Sequence, residues 1–134
     1  MSRVHVRVSI GPESYAVPIG DVLEITDFGQ IAALPGAPAG VLGLRNLHGR
    51  VLPVIDVAGL LGLASEARPQ RIVVAEHGGR LAGLAVDRVT DVEALPDGEE
   101  EATAPHVRGA ALVTGTLVGA IDVGSVLDAV EQGR

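Results

Sequence analysis

Residues 38–57 read Pro38-Ala39-Gly40-Val41-Leu42-Gly43-Leu44-Arg45-Asn46-Leu47-His48-Gly49-Arg50-Val51-Leu52-Pro53-Val54-Ile55-Asp56-Val57. Val41 to Leu47 is an apolar-rich run, His48-Gly49 is a turn signal, and Val51 to Ile55 is a second, β-branched run. Asp56 is placed to accept hydrogen bonds from the free backbone amides of a short helix beginning near Val57. The stretch therefore predicts strand, tight turn, strand, capped helix.

The same plan recurs 66 residues later. Gly43 to Leu61 lies over Gly109 to Leu127 without a gap, and Gly43, Gly49, Ile55, Asp56, Val57 and Leu61 fall on Gly109, Gly115, Ile121, Asp122, Val123 and Leu127. The offset nearly halves a chain of 134 residues, so the sequence predicts two related units, roughly 1–65 and 70–134, within a single domain spanning 1–134.

Composition supports a β-rich chain. Hydrophobic residues make up 47%, yet there are only one Phe, one Tyr and no Trp, so the core must be built from Val, Leu, Ile and Ala. Many small β-branched side chains suit strands, and 18 glycines with eight prolines supply turns. With no Cys, neither a disulfide framework nor a thiolate metal site is possible. No apolar run approaches the roughly 18 residues of a membrane span, and the N-terminus alternates Val4, Val6 and Val8 with polar residues, unlike a signal peptide. A cytoplasmic location without direct membrane insertion is expected. The net charge of -7 argues against nucleic acid as a partner. All ten cations are Arg, which in so Ala-, Gly- and Val-rich a chain reads as compositional bias.

Taken in order, the first half predicts strands over Val4–Ile10, Tyr15–Ile19, Val22–Thr26 and the two of the central hairpin, with a helical turn over Gln30–Leu34 and a helix over Val57–Leu63. The second half repeats this with strands over Ile72–Glu76, Leu81–Val86, Val89–Leu95, Gly109–Thr114 and Thr116–Ile121, an acidic loop from Pro96 to Pro105, and a helix over Val123–Glu131. Val123, Val126, Leu127 and Val130 form one apolar stripe of that helix. At an offset of 67, Val17, Ile19, Val22 and Ile25 match Leu84, Val86, Val89 and Val92, so the apolar phase is kept. Pro53 and its counterpart Gly119 are poor ladder residues and are expected at an edge or a barrel corner. The predicted fold is all-β with minor α: two small five-stranded barrels, each too small to bury much alone, packed on each other.

Candidate chemistry is sparse. Asp56 and Asp122 are equivalent, as are the paired carboxylates of aspartic proteases, but each is followed by Val and not by a small hydroxyl residue. Helix capping accounts for both. His5, His48, His77 and His106 lack metal-ligand spacing, no phosphate-cradling glycine motif is present, and Ser9, Ser14, Ser65 and Ser125 lack a nucleophile-elbow context. No enzymatic activity and no cofactor are expected; a binding module is.

The central stretch resembles the CheW-like family of chemotaxis adaptors. The family signature is a Gly, a hydrophobic, a variable residue and Asn-Leu-Arg-Gly, then hydrophobics around a Pro and an Asp. Here Gly43-Leu44-Arg45-Asn46-Leu47-His48-Gly49 is followed by Val51-Leu52-Pro53-Val54-Ile55-Asp56-Val57. Tyr15 to Ile19, Val22, Glu24-Ile25, Leu34-Pro35, Gly83 to Asp87, Val89, Gly109 and Leu117 to Val123 extend the match over nearly the whole chain. The resemblance implies two packed SH3-like barrels in a single-domain adaptor that links chemoreceptors to a CheA-type histidine kinase. The kinase's regulatory domain would dock on one barrel, and the receptor's cytoplasmic hairpin tip would lie in the groove between barrels. It further implies a receptor-binding surface at Val22, Glu24, Gly43, Arg45, Asn46, His48 and Gly49, and a kinase contact near Ile72, Val73 and Val92.

One residue departs from the pattern. The family has Arg after Asn-Leu, and this chain has His48. Arg is always charged and offers a planar fork of donors, whereas His as a residue type is half-charged only near about pH 6.5. This predicts weakened coupling, or a contact taken over by Arg45 or Arg50. It also keeps open an interaction module for another pathway, such as a motility, pilus or developmental kinase cluster.

Overall fold

A computed structural model of the chain describes residues 2–63, 68–96 and 104–132. It contains ten strands in chain order. These are β1 (Ser2–Ile10), β2 (Glu13–Pro18), β3 (Val22–Asp27), β4 (Val41–Leu47), β5 (Arg50–Asp56), β6 (Arg71–His77), β7 (Arg80–Val86), β8 (Arg88–Pro96), β9 (Val107–Val113) and β10 (Thr116–Ile121). Two α-helices, α1 (Val57–Leu60) and α2 (Val123–Gln132), follow β5 and β10, and a 3-10 turn at Ile19–Asp21 links β2 to β3. The fold is all-β with minor helix, as the sequence predicts.

The tight turns form where glycine permits positive φ. In the β4–β5 hairpin His48 has φ 51° and Gly49 φ 81°; in β9–β10 Thr114 has φ 48° and Gly115 φ 79°. Two consecutive positive-φ residues match the twist of the flanking strands, so the repeated glycine of the two sequence motifs sits at the same place in two identical turns.

The strands hydrogen-bond into two five-stranded sheets, ordered β8-β1-β2-β10-β9 (sheet A) and β3-β6-β7-β5-β4 (sheet B). Substituting β6 for β1, β7 for β2, β3 for β8, β4 for β9 and β5 for β10 converts one order into the other, so the internal repeat is structural. The sheets, however, do not follow the repeated units β1–β5 and β6–β10. Sheets do not coincide with halves 1–65 and 70–134: β1 and β2 join three strands of the second half, while sheet B is the continuous segment β3–β7. Periodicity reports which residues alternate and is blind to which hairpin a third strand will join. In each sheet three ladders are antiparallel, and one is parallel, β2 with β10 and β5 with β7.

Three clusters of buried side chains follow from this pairing. The largest lies between the sheets and joins Val6, Val8, Ile10 and Val17 of sheet A to Ile55, Val73, Ala75, Leu84 and Val86 of sheet B, closed by Val123, Val126, Leu127 and Val130 of α2. On its opposite face each sheet curls over a small cluster of its own: Val54, Ile72, Val74 and Ala85 in sheet B, and Ala16, Leu95 and Val118 in sheet A. Central strands such as β6 are thus buried on both faces, Val73 and Ala75 toward the shared core, Ile72 and Val74 toward the sheet's own.

Further local expectations are corrected. Gln30–Leu34 forms no helical turn; it is extended, and Ala32 bridges Leu44 through reciprocal backbone bonds of 2.8 Å. The α1 helix ends at Leu60 and not at Leu63. Pro53 and Gly119 lie in β5 and β10, which are internal and not edge strands. Pro53 is tolerated because pairing with β7 begins only at Val54. Gly119 makes room for the Tyr15 ring, since a Cβ there would stand 3.1 Å from Tyr15 Cδ1. The residues 97–103 of the acidic loop, including Asp97, Glu99, Glu100 and Glu101, lie outside the described residues.

Candidate functional site

Sheet B curls until its two edge strands, β3 and β4, approach each other, and the expected receptor-side residues collect where they meet. Arg45 reaches from β4 to the end of β3, where Nη1 donates to the carbonyl oxygens of Asp27, at 2.8 Å, and Phe28. The guanidinium lies over Gly29, whose φ of 59° and missing side chain make the approach possible. Gly43 is buried beneath the Ala32 strand segment; a Cβ would stand 2.5 Å from the Ala32 carbonyl oxygen. Asn46 Oδ1 accepts from the Gly49 amide at 3.1 Å and so ties down the hairpin turn. His48 Nε2 stands 3.0 Å from Glu24 Oε1, both groups solvent-accessible. No ladder among the described residues joins β3 to β4; side chains do, and Ala32, beyond β3, bridges Leu44.

The structure therefore brings Glu24, Arg45, Asn46, His48 and Gly49 to one end of sheet B. Within this group Gly43 and Asn46 hold the backbone, Arg45 braces the loop after β3, and Glu24 with His48 forms the polar, exposed part. Val22 is half-buried at the start of β3 and packs against the shared core.

The residues expected near a kinase are not brought together. Ile72 and Val73 are fully buried, in different clusters, so neither side chain meets solvent. Both face an interior because β6 is flanked by β3 and β7 and covered on both sides. Val92 lies on the other sheet, on the edge strand β8, and is 53% exposed. Its position is the pseudo-symmetric mate of Ile25 on edge strand β3, which is also exposed. Leu112 and Leu117 face each other across the β9–β10 hairpin at 70% and 55% exposure, a patch the sequence reading passed over. Those two positions repeat Asn46 and Val51 of the first hairpin, and Leu in place of Asn at a turn-flanking position is the signal that would have found it.

Several polar groups elsewhere are committed to structure. Asp56 Oδ1 accepts from the Gly59 amide at 3.1 Å, and Asp122 Oδ1 from the Ser125 amide at 3.1 Å, the same cap at equivalent positions. His106 Nδ1 and Ser125 Oγ share a 2.7 Å hydrogen bond, but the Asp122 carboxylate faces the helix amide, so the three side chains do not form a relay. Arg80 pairs with Asp128 at 2.6 Å and with Glu131 at 3.4 Å, and the hydrogen bond it donates to Asp128 raises the guanidinium pKa. Among the described residues no group of three or more His, Asp or Glu side chains could hold a metal ion. No helix among them is long and apolar enough to cross a membrane.

Two pseudo-symmetric sheets that share a core and carry exposed aliphatic residues on their edge strands are the frame of an all-β double-sheet protein. The chain belongs to the CheW-like domain family, which it matches over residues 5–131. It is 31% identical over 140 aligned positions to the chemotaxis protein CheW of Rhizobium meliloti (strain 1021), covering 97% of this chain and 90% of that one. The crystal structure of scaffolding protein TtCheW from Thermoanaerobacter tengcongensis superposes with a TM-score of 0.80 at 28% identity, covering 90% of this chain and 89% of the other. Protein PilI of Pseudomonas aeruginosa is 35% identical over 89 residues, 65% of this chain and 50% of that protein.

Proposed function

We propose that this protein is a non-catalytic adaptor in chemotaxis signalling, cytoplasmic and recruited to membrane-associated receptor arrays, where it couples chemoreceptors to a CheA-type histidine kinase. The observation that carries the reading is the match to the CheW-like family across residues 5–131, in a fold shared with a scaffolding protein. The surfaces available are consistent in kind. An amphipathic receptor hairpin needs apolar anchors beside a polar rim, and β3 offers exposed Leu23 and Ile25 next to Glu24 and His48. On this reading the receptor tip docks where β3 meets the β4–β5 turn. The kinase's regulatory domain docks on the β8 edge around Val92, while Ile72 and Val73 lie buried in the other sheet and make no direct contact.

A second reading, the same adaptor role in a kinase pathway other than chemotaxis, rests on the similarity to Protein PilI. Calorimetric titration with the regulatory domain of a CheA-type kinase from the same organism tests the first. Saturable one-to-one binding in the micromolar range, about -8 kcal/mol, is expected, and Val92→Asp should abolish it. Absence of heat with the chemotaxis kinase, together with binding to the corresponding domain of another kinase, would transfer the assignment to the second reading.

A further inference from the structure

The two pseudo-symmetric sheets differ where their edge strands approach. Arg45 stands on β4 opposite Leu52 of β5; its mate on β9, opposite Val118 of β10, is Ala111. In sheet A a cavity of about 210 Å³ has Ala111 in its wall. In sheet B the Arg45 side chain crosses to β3 instead, where Nη1 donates to the carbonyl oxygens of Asp27 and Phe28. The two carbonyls meet one guanidinium beside Gly29, where the chain turns at φ 59° and a Cβ would stand 2.8 Å from Nη1.

This corner is gripped from two sides. Arg71 of β6 donates to Asp27 Oδ1 at 2.6 Å, and the Phe28 amide donates to the Gln70 carbonyl oxygen at 3.0 Å. Strand β6 thus holds one side of the β3 end, and Arg45 ties the other side to β4. Glu24 and His48 also span β3 and the β4–β5 turn, yet both partners of that contact carry charge only while the imidazole is protonated. A guanidinium stays charged at every working pH, so Arg45 is the permanent link. Arg50, the other cation beside the turn, is exposed at the start of β5.

We propose that Arg45 is the positioning residue of the receptor-side surface. By clamping the end of β3 to β4 it holds Leu23, Glu24 and Ile25 in fixed relation to the β4–β5 turn, so that a receptor tip meets a surface already formed. Loops and side chains that must be ordered on docking subtract from affinity, and a clamp made before binding removes that cost. This role rests on the receptor reading and adds to it a residue that sets affinity through the strand it holds.

Arg45→Ala and Arg45→Lys test the clamp. The mate Ala111 shows that the ladders of such a sheet form around a methyl at this position, so Arg45→Ala folds. Amide hydrogen exchange on the free proteins should quicken by about tenfold at Phe28, Ala32 and Leu44 in Arg45→Ala, roughly the loss of one charge-assisted hydrogen bond. Val6 and Val17 of sheet A should exchange as before. Titration with a soluble cytoplasmic hairpin fragment of a chemoreceptor from the same organism should show binding to Arg45→Ala weaker by about tenfold. Arg45→Lys keeps a charged donor and should recover most of both effects. Unchanged exchange, unchanged receptor affinity, exchange that quickens equally in sheet A, or an Arg45→Lys protein no better than Arg45→Ala would each overturn the clamp and leave the receptor reading standing. A wild-type protein that does not bind the hairpin fragment would instead overturn the receptor reading, and the docking role of Arg45 with it.

Discussion

His48 adopts a left-handed backbone and its imidazole stands 3.0 Å from Glu24. His is among the residue types enriched at positive φ, so the residue that departs from the family pattern suits its turn. The contact to Glu24 is an ion pair only while the ring is protonated, whereas Arg would hold it at every pH. His48→Arg should tighten binding to the cognate receptor–kinase complex severalfold at neutral pH, measured by titration; unchanged affinity would retire the idea that this position sets coupling strength. Tyr15 offers a second test at this scale. Partial burial, and secondarily the charge of Glu13, raise its phenol above the usual 10.0. The folded state thus holds the proton more tightly than the unfolded one, so its contribution is fully present below about pH 10 and is lost as pH rises through the folded value. Unfolding midpoints measured across this alkaline range should fall, and Tyr15→Phe should remove part of the fall. Because the chain has a single Tyr, ultraviolet titration reads the group directly; a titration at the ordinary value would contradict the burial argument.

Among the elements, the two strand-to-helix corners were the most legible. Ile-Asp-Val occurs twice, and both aspartates cap a helix by the same hydrogen bond to the third residue on. At the first corner Gly59 lets the carboxylate approach, since a Cβ there would stand 2.6 Å from Asp56 Oδ2. Asp56→Ala and Asp122→Ala should each cost about 1 kcal/mol of stability in denaturant unfolding. A loss well below that at both sites would mean that the carboxylates are not working as caps. The helix read over Gln30–Leu34 failed because local composition does not report the Ala32–Leu44 bridge, a contact across the mouth of a curled sheet. For the candidate site the same division holds. Glu24, Arg45, Asn46 and His48 lie near one another at one end of sheet B, whereas the burial of Ile72 and Val73 depends on β3 and β7 flanking β6. A continuous run such as Ile72-Val73-Val74-Ala75 does not say which of its faces, if any, meets solvent.

For the molecule as a whole, the exchange of strands between halves has an experimental consequence. Sheet A takes β1 and β2 from the first half and β8, β9 and β10 from the second, so neither half contains a complete sheet. Fragments 1–65 and 70–134 should be largely unfolded alone and regain β structure when mixed, followed by circular dichroism. A fragment 1–65 that folds by itself would show that each half closes its own sheet. Alternation, glycine-marked turns, the internal repeat and the capping aspartates were written in local sequence, because each depends on residues a few positions apart and on backbone preferences that act before any long-range contact. Which hairpin accepts the third strand, which face of a doubly buried strand survives at the surface, and how fully each curl is packed came only with the folded chain. These are set by competition among similar apolar strands for partners distant in sequence, and that competition is settled by the burial of the shared core between the two sheets.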